Sequence, residues 1–330
     1  MSQEGPREKA CLGVVSANDS AGTVANGRTA CRQEYRYDDD DDGLGRAPKF
    51  VTKWTLGCIA AIAIAGSTLA QTLVERGNYL VNGVLTCGNC HTPRGPGGVW
   101  DMSKQLSGGP RTWDEVTFKV KGANITPDPE TGIGKWSDAD IKRSLLTGVR
   151  PNGTQIAPIM PYGFYKVFTP ADIDAVVAYL KSVAAVRNAV EPPVYKAALH
   201  VDIPPGANKV MSEADIADPV KRGFYLVTIG HCMECHTPLV NDVHDYAQLG
   251  KGGQSFPGPW GVTVSRNITS HQTAGLGGWS DAEIKAAITQ GVRKDGTKLK
   301  PPMAFSLYAT MTDQDLSAIV AYLRTVPPKE

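Results

Sequence analysis

Apolar residues along this chain recur at helical rather than strand spacing. Ile173, Val176, Val177 and Leu180 share one helical face, and so do Leu316, Ile319, Val320 and Leu323. Thr169 followed by Pro170 opens the first of these helices, and Thr312 opens the second, as a capping hydroxyl does before the first turn. Ser137 with Asp138 and Asp140 predicts a helix over 138–147 that stops at Gly148, and Ser280 and Gly291 bound its counterpart. Two further helices, each interrupted near a cysteine motif, are predicted from about Leu73 and Val220. No stretch alternates apolar and polar residues long enough to predict an extensive sheet.

These elements come in two sets. Arg76-Gly77-Asn78-Tyr79-Leu80-Val81 returns as Arg222-Gly223-Phe224-Tyr225-Leu226-Val227, and Asn124-Ile125-Thr126 returns as Asn267-Ile268-Thr269. Trp136-Ser137-Asp138-Ala139 returns as Trp279-Ser280-Asp281-Ala282. Aligned without gaps, 124–183 and 267–326 share 27 of 60 positions. The period is far longer than a solenoid repeat, so the chain carries one domain duplicated, predicted at 71–187 and 215–330. The linker, 188–214, holds Pro192-Pro193 and Pro204-Pro205, which favour a stiff, extended connection.

The first 70 residues read differently. Residues 1–50 have few large apolar side chains and an acidic run, Asp38 to Asp42, and are expected to be a disordered extension. Residues 51–70 place Lys53 before an apolar core and small residues after it, the layout of a signal peptide cut after Ala70. The expected location is therefore the periplasm; the alternative is an uncleaved segment anchoring the chain to the periplasmic face of the inner membrane. A formal net charge of +1 points to no nucleic-acid partner.

Of the seven cysteines, Cys11, Cys31 and Cys58 precede the duplicated part. The other four form Cys87-Gly88-Asn89-Cys90-His91 and Cys232-Met233-Glu234-Cys235-His236, each followed by Thr-Pro. C-x-x-C-H is the attachment signature of c-type haem: two thiols bond the cofactor's edge and the histidine ligates iron. Two copies predict two covalent haem c groups per chain, on Cys87, Cys90, Cys232 and Cys235, with His91 and His236 as iron ligands. The competing reading of the cysteines is a four-thiolate zinc site. A large apolar cofactor also explains the long loops between short helices. The repeat register pairs Met160, in Pro158-Ile159-Met160-Pro161, with Met303, in Pro301-Pro302-Met303, as soft sixth ligands to iron; the alternative is ordinary core methionines. Met102 and Met211 have no counterparts. A carbonyl near Thr92-Pro93 or Thr237-Pro238 is expected to orient each histidine, and Trp136, Trp279, Asn124 and Asn267 are candidates to bind the propionates. His200, His231, His244 and His271 are expected at the surface.

With C-x-x-C-H early, then N-I-T, G-x-G-x-W-S-D, P-x-M and a closing helix, each copy resembles a class I cytochrome c domain. The wording resembles the cytochrome c subunits of periplasmic alcohol- and gluconate-type dehydrogenases. That resemblance implies an all-α fold, covalent haem and methionine ligation. It also implies a di-haem electron carrier that takes electrons from a dehydrogenase and passes them to a quinone-linked, oxidase or cytochrome acceptor. Peripheral association with a membrane is compatible with it. The alternative is a di-haem redox enzyme of the peroxidase or thiosulfate-oxidising type, which needs an open site at iron.

Overall fold

In a computed structural model the described residues are 72–95, 98–109 and 111–330. The predicted extension and signal peptide lie outside them. Among the described residues no helix is long and apolar enough to cross a membrane.

Each half is built on two crossing helices. Helix α1 spans 72–79 and runs on as a π-helical turn, Leu80–Val84. It crosses α4, Pro170–Ser182, whose start is capped by the Thr169 hydroxyl accepting from Asp172 N–H. In the second half α5, Pro219–Ile229, crosses α9, Asp313–Leu323, capped likewise by Thr312. Glycine makes both crossings. A Cβ on Gly77 would stand 2.0 Å from the carbonyl oxygen of Ala175, and one on Gly223 would stand 1.9 Å from that of Ala318. The intervening helices, α3 (Asp138–Thr147) and α7 (Asp281–Gln290), begin with reciprocal caps, Ser137 with Asp140 and Ser280 with Glu283. They end on left-handed Gly148 and Gly291, as the sequence predicts. A short helix after the second methionine loop is α8, Phe305–Tyr308. Two one-turn helices, α2 (Gly88–His91) and α6 (Cys232–His236), carry the cysteine motifs.

The all-α expectation is not met. Three small antiparallel sheets stand beside the helices: β1 (Thr112–Asp114), β2 (Phe118–Lys121) and β3 (Val194–Tyr195) in one, β4 (Leu239–Val240) with β5 (Val243–His244), and β6 (Ser255–Gly258) with β7 (Gly261–Val264). Strands of two to four residues give a period-two pattern too little length to show. Their job is local. Trp113 and Phe118 bury against Ala157 with Cys90 and Val120, closing the flank of the first motif.

The linker is not a free spacer. It supplies β3, which pairs Tyr195 with Phe118, and Lys196 N–H donates to Thr117. Farther on, Met211 N–H donates to Val167.

The two helix crossings share one continuous apolar core, running from Leu80, Val81 and Val84 through Tyr165 and Phe168 to Tyr225, Leu226 and Ile229.

Candidate functional site

The chain breaks sharply before each motif. Thr86 and His231 take positive φ, 49° and 45°, and so end the long helix and start the one-turn helix that bears the cysteines and the histidine. Such a backbone is uncommon for residues other than glycine, and here it recurs at equivalent places.

Each motif histidine then receives a fixed role. His91 Nδ1 lies 2.7 Å from the Ala123 carbonyl, and His236 Nδ1 lies 2.6 Å from that of Arg266. A carbonyl can only accept, so Nδ1 carries the hydrogen and Nε2 keeps its lone pair. Burial lowers both pKa values, opposed by the same carbonyls, so both rings are neutral. A neutral, oriented imidazole is what metal ligation requires. The orienting carbonyls stand immediately before Asn124 and Asn267, not at the Thr-Pro steps the sequence reading favoured.

Burial pushes the Cys87 and Cys232 thiols up to about 12, and burial with the Glu234 carboxylate pushes Cys90 up to about 11. Among the described residues no cluster of three or more His, Cys, Asp or Glu side chains is arranged for a metal ion. The four-thiolate zinc alternative therefore finds no support.

Met160 and Met303 lie half-buried on the loops after equivalent hairpin bridges, Val149 with Gln155 and Val292 with Lys298. Both line the same cavity as His91, His236 and the four motif cysteines. Met102 is exposed, whereas Met211, Met233 and Met311 are buried in the core. The cavity is continuous across the two halves, with a volume of about 1340 Å³, larger than the roughly 300–1,000 Å³ of a usual single-ligand pocket. Its walls are mostly apolar, from Val84 and Ile133 to Ile284 and Leu323, and Trp136 and Trp279 line it at equivalent places. The donor set and the apolar walls fit a c-type haem in each half.

Other expectations change. Asn124 spends its amide on the Thr131 hydroxyl and on the carbonyls of Val186 and Asn188, and its oxygen accepts from Thr126. Asn267 donates to the Lys329 carbonyl in the same way. Both asparagines tie the N-I-T turn to the chain leaving the closing helix, and the amide of Asn124 is fully engaged there. His200 is exposed, but His231 and His244 are not. His231 Nδ1 pairs with the Glu234 carboxylate at 2.9 Å. His244 is almost enclosed: Nδ1 lies 2.6 Å from an Asp202 carboxylate oxygen and Nε2 lies 2.7 Å from the Glu234 carbonyl. With an acceptor at both nitrogens, the ring is held as imidazolium. Burial opposes that charge, but the Asp202 carboxylate and the Glu234 carbonyl outweigh it and raise the pKa. Nothing in the one-dimensional pattern marked either histidine, since neither has a counterpart in the other copy.

Comparison with known proteins agrees with this geometry. The cytochrome c family model matches twice, at 74–184 and 220–327. The chain is 33% identical over 256 residues to a "Diheme cytochrome c-type" protein of Cereibacter sphaeroides, covering 74% of this chain and 83% of that one. It is 31% identical over 313 residues to the "Gluconate 2-dehydrogenase cytochrome c subunit" of Pantoea cypripedii, covering 86% and 66%. It is 30% identical over 299 residues to the "Alcohol dehydrogenase (quinone), cytochrome c subunit" of Gluconacetobacter polyoxogenes, covering 84% of this chain but 62% of that subunit. This chain belongs to the cytochrome c family.

Proposed function

We infer that this chain is an exported di-haem electron carrier, with one covalent haem c in each half, 71–187 and 215–330. In the first half Cys87 and Cys90 would hold the cofactor, and His91 and Met160 would ligate its iron. In the second, Cys232, Cys235, His236 and Met303 would take the same parts. Electrons enter from a dehydrogenase partner in the periplasm and leave for a respiratory acceptor; the relatives named as cytochrome c subunits of alcohol and gluconate dehydrogenases support the choice of donor.

The observation that carries this reading is the duplication of a complete ligand set along one cavity. Bound haem supplies a one-electron ferrous–ferric couple. The chain's own residues hold and tune it. The Ala123 and Arg266 carbonyls fix the imidazole rings and raise their basicity. A Met160 or Met303 thioether on the iron would favour the reduced state and would leave no open position for substrate, which suits a relay rather than an enzyme.

Replacing Met303 with Ala tests the assignment. The reduced variant is expected to bind one equivalent of carbon monoxide and to show a lowered potential at one haem. Met160→Ala is expected to do the same at the other haem, and the double variant to bind two equivalents. Rapid carbon monoxide binding by the reduced wild type would show a naturally open iron and overturn the relay.

A further inference from the structure

The two halves meet through equivalent parts, exchanged. The π-helical end of α1 packs on α8 of the second half, and α5 packs on the short helix Tyr165–Val167 of the first. Tyr165 and Tyr308 are equivalent in the repeat, so the contact has two-fold character within one chain.

Two crossed side-chain locks close it. In the first half Arg76 makes a paired contact with Asp172, Nε to Oδ1 at 2.7 Å and the terminal nitrogen to Oδ2 at 2.8 Å. The phenol of Tyr225, from the second half, donates to the same Oδ2 at 2.7 Å. In the second half Arg222 Nε meets Asp315 Oδ1 at 2.5 Å, and the phenol of Tyr79, from the first half, donates to Asp315 Oδ2 at 2.5 Å. Asp172 and Asp315 are 4% and 1% exposed, so each carboxylate depends on its arginine and on the other half's tyrosine. All six residues are identical pairs in the two copies: Arg76 with Arg222, Tyr79 with Tyr225, Asp172 with Asp315.

The same contact brings the motif loops together. A Cβ on Gly230 would lie 3.4 Å from the Val84 carbonyl, across the boundary and just ahead of both motifs. The four motif cysteines and both motif histidines line one cavity. The sites therefore adjoin, and the distance between them depends on how firmly the halves are held.

We propose that the crossed locks make Tyr79, Tyr225, Asp172 and Asp315 positioning residues that hold the two halves as one fixed pair for electron passage between the two haem sites. The proposal rests on the two-haem reading. It adds that passage within the chain is set by protein–protein hydrogen bonds remote from both ligand sets. None of the four residues touches a proposed iron ligand or motif cysteine by any bond described above.

The test uses the whole haem-loaded chain. Tyr79→Phe/Tyr225→Phe keeps the rings and removes both donors. Gly83→Phe is a wedge, because a Cβ there already meets the Thr310 hydroxyl of the other half at 2.8 Å. Electron equilibration between the haems is followed after flash reduction of less than one electron per chain, at several protein concentrations. Haem content and both potentials are measured alongside. In the wild type the equilibration is expected to be first order and independent of concentration. In both variants it is expected to slow by about tenfold or more, as displacement of a pre-oriented pair does, with two haems and both potentials retained. An unchanged rate in both variants would overturn the proposal while leaving the two-haem reading intact. One haem in the wild type would overturn that reading itself. Should the double variant fail to take up haem, the single Phe variants and the wedge still decide.

Discussion

Gly77 and Gly223 are where the fold is most sharply testable. Alanine is the better helix former by about 1 kcal/mol, so propensity alone predicts that Gly77→Ala stabilises α1. The crossing predicts the reverse. The added methyl would stand 2.0 Å from the Ala175 carbonyl oxygen and 2.6 Å from the Tyr179 Cβ, where contacts under 3.0 Å are essentially never seen. Two of the three nearest atoms are backbone, so no side-chain rotation relieves the clash and α1 must move off α4 by about 1 Å. A gap of that size forfeits a quarter to a half of the dispersion attraction across it. The side chains concerned include Leu80, Val81, Ile173, Val176 and Val177, all buried in the shared core. Overpacking costs about 1–3 kcal/mol, and a clash with backbone belongs at the upper end, which leaves a net loss of roughly 1–2 kcal/mol after the gain in propensity. For a domain with about 5–15 kcal/mol of stability that is a large fraction. Gly223→Ala meets the same obstacle at 1.9 Å from Ala318 and is expected to cost as much. Guanidinium denaturation followed by far-ultraviolet circular dichroism reads the loss as a lower midpoint at unchanged slope. Alanine variants as stable as the wild type would refute the reasoning, because propensity would then have outweighed the contact.

Two further outcomes are expected. Cys87→Ala with Cys90→Ala should leave one covalent haem per chain, read by the mass of the denatured protein and its haem absorbance; release of all haem into acidic organic solvent from the wild type would refute covalent attachment. The His244–Asp202 contact should depend on pH: His244 has a raised pKa, so its contribution is complete below the unfolded value of about 6.5 and is lost as pH rises through the higher folded value. Asp202, shifted downward, contributes above the ordinary carboxylate range and loses that contribution in acid. Denaturation midpoints between pH 5 and pH 9 should therefore fall more steeply for the wild type than for His244→Gln. With His200, Glu234 and Tyr246 as the other titratable neighbours, parallel profiles would assign the dependence to them.

What the sequence disclosed and what it hid follow from the range of each signal. Ser137, Asp140 and Gly148 act within one helix, so their meaning is legible from spacing, and α3 begins and ends where they predict. The cysteine motifs and the methionine register are legible because each is repeated. The strands are hidden because they are two to four residues long and are held by pairing partners far along the chain, as Phe118 is by Tyr195. The carbonyls that orient His91 and His236 are hidden for another reason: Ala123 and Arg266 supply backbone atoms, and a backbone acceptor leaves no residue type to read. His244 is a unique residue whose partners, Asp202 and Glu234, lie 42 and 10 positions away, so only the folded chain shows why it is buried. The crossed locks are a different case. Their six residues are identical between copies and were visible as a repeat, but identity within a duplicate does not say which copy's partner is used.

That exchange bears on how the duplicate works. Had each tyrosine turned to the aspartate of its own half, the halves would meet only through apolar packing and the linker. Tyr79 instead completes the shell of Asp315, and Tyr225 that of Asp172. Removing either half would leave a buried carboxylate one donor short, at a cost of about 1–3 kcal/mol before any loss of packing. The shared apolar core adds to this, since Val84 and Tyr165 of one half lie in the same cluster as Ile229 and Tyr225 of the other. Asp202 and His244 add a third tie, between the linker and β5. The linker's strand, β3, is bonded to the first half, and Asp202 of the linker is bonded to His244 of the second. On the proposed two-haem reading, ties of this kind would fix the separation of the two sites, and a relay needs that constancy more than it needs motion.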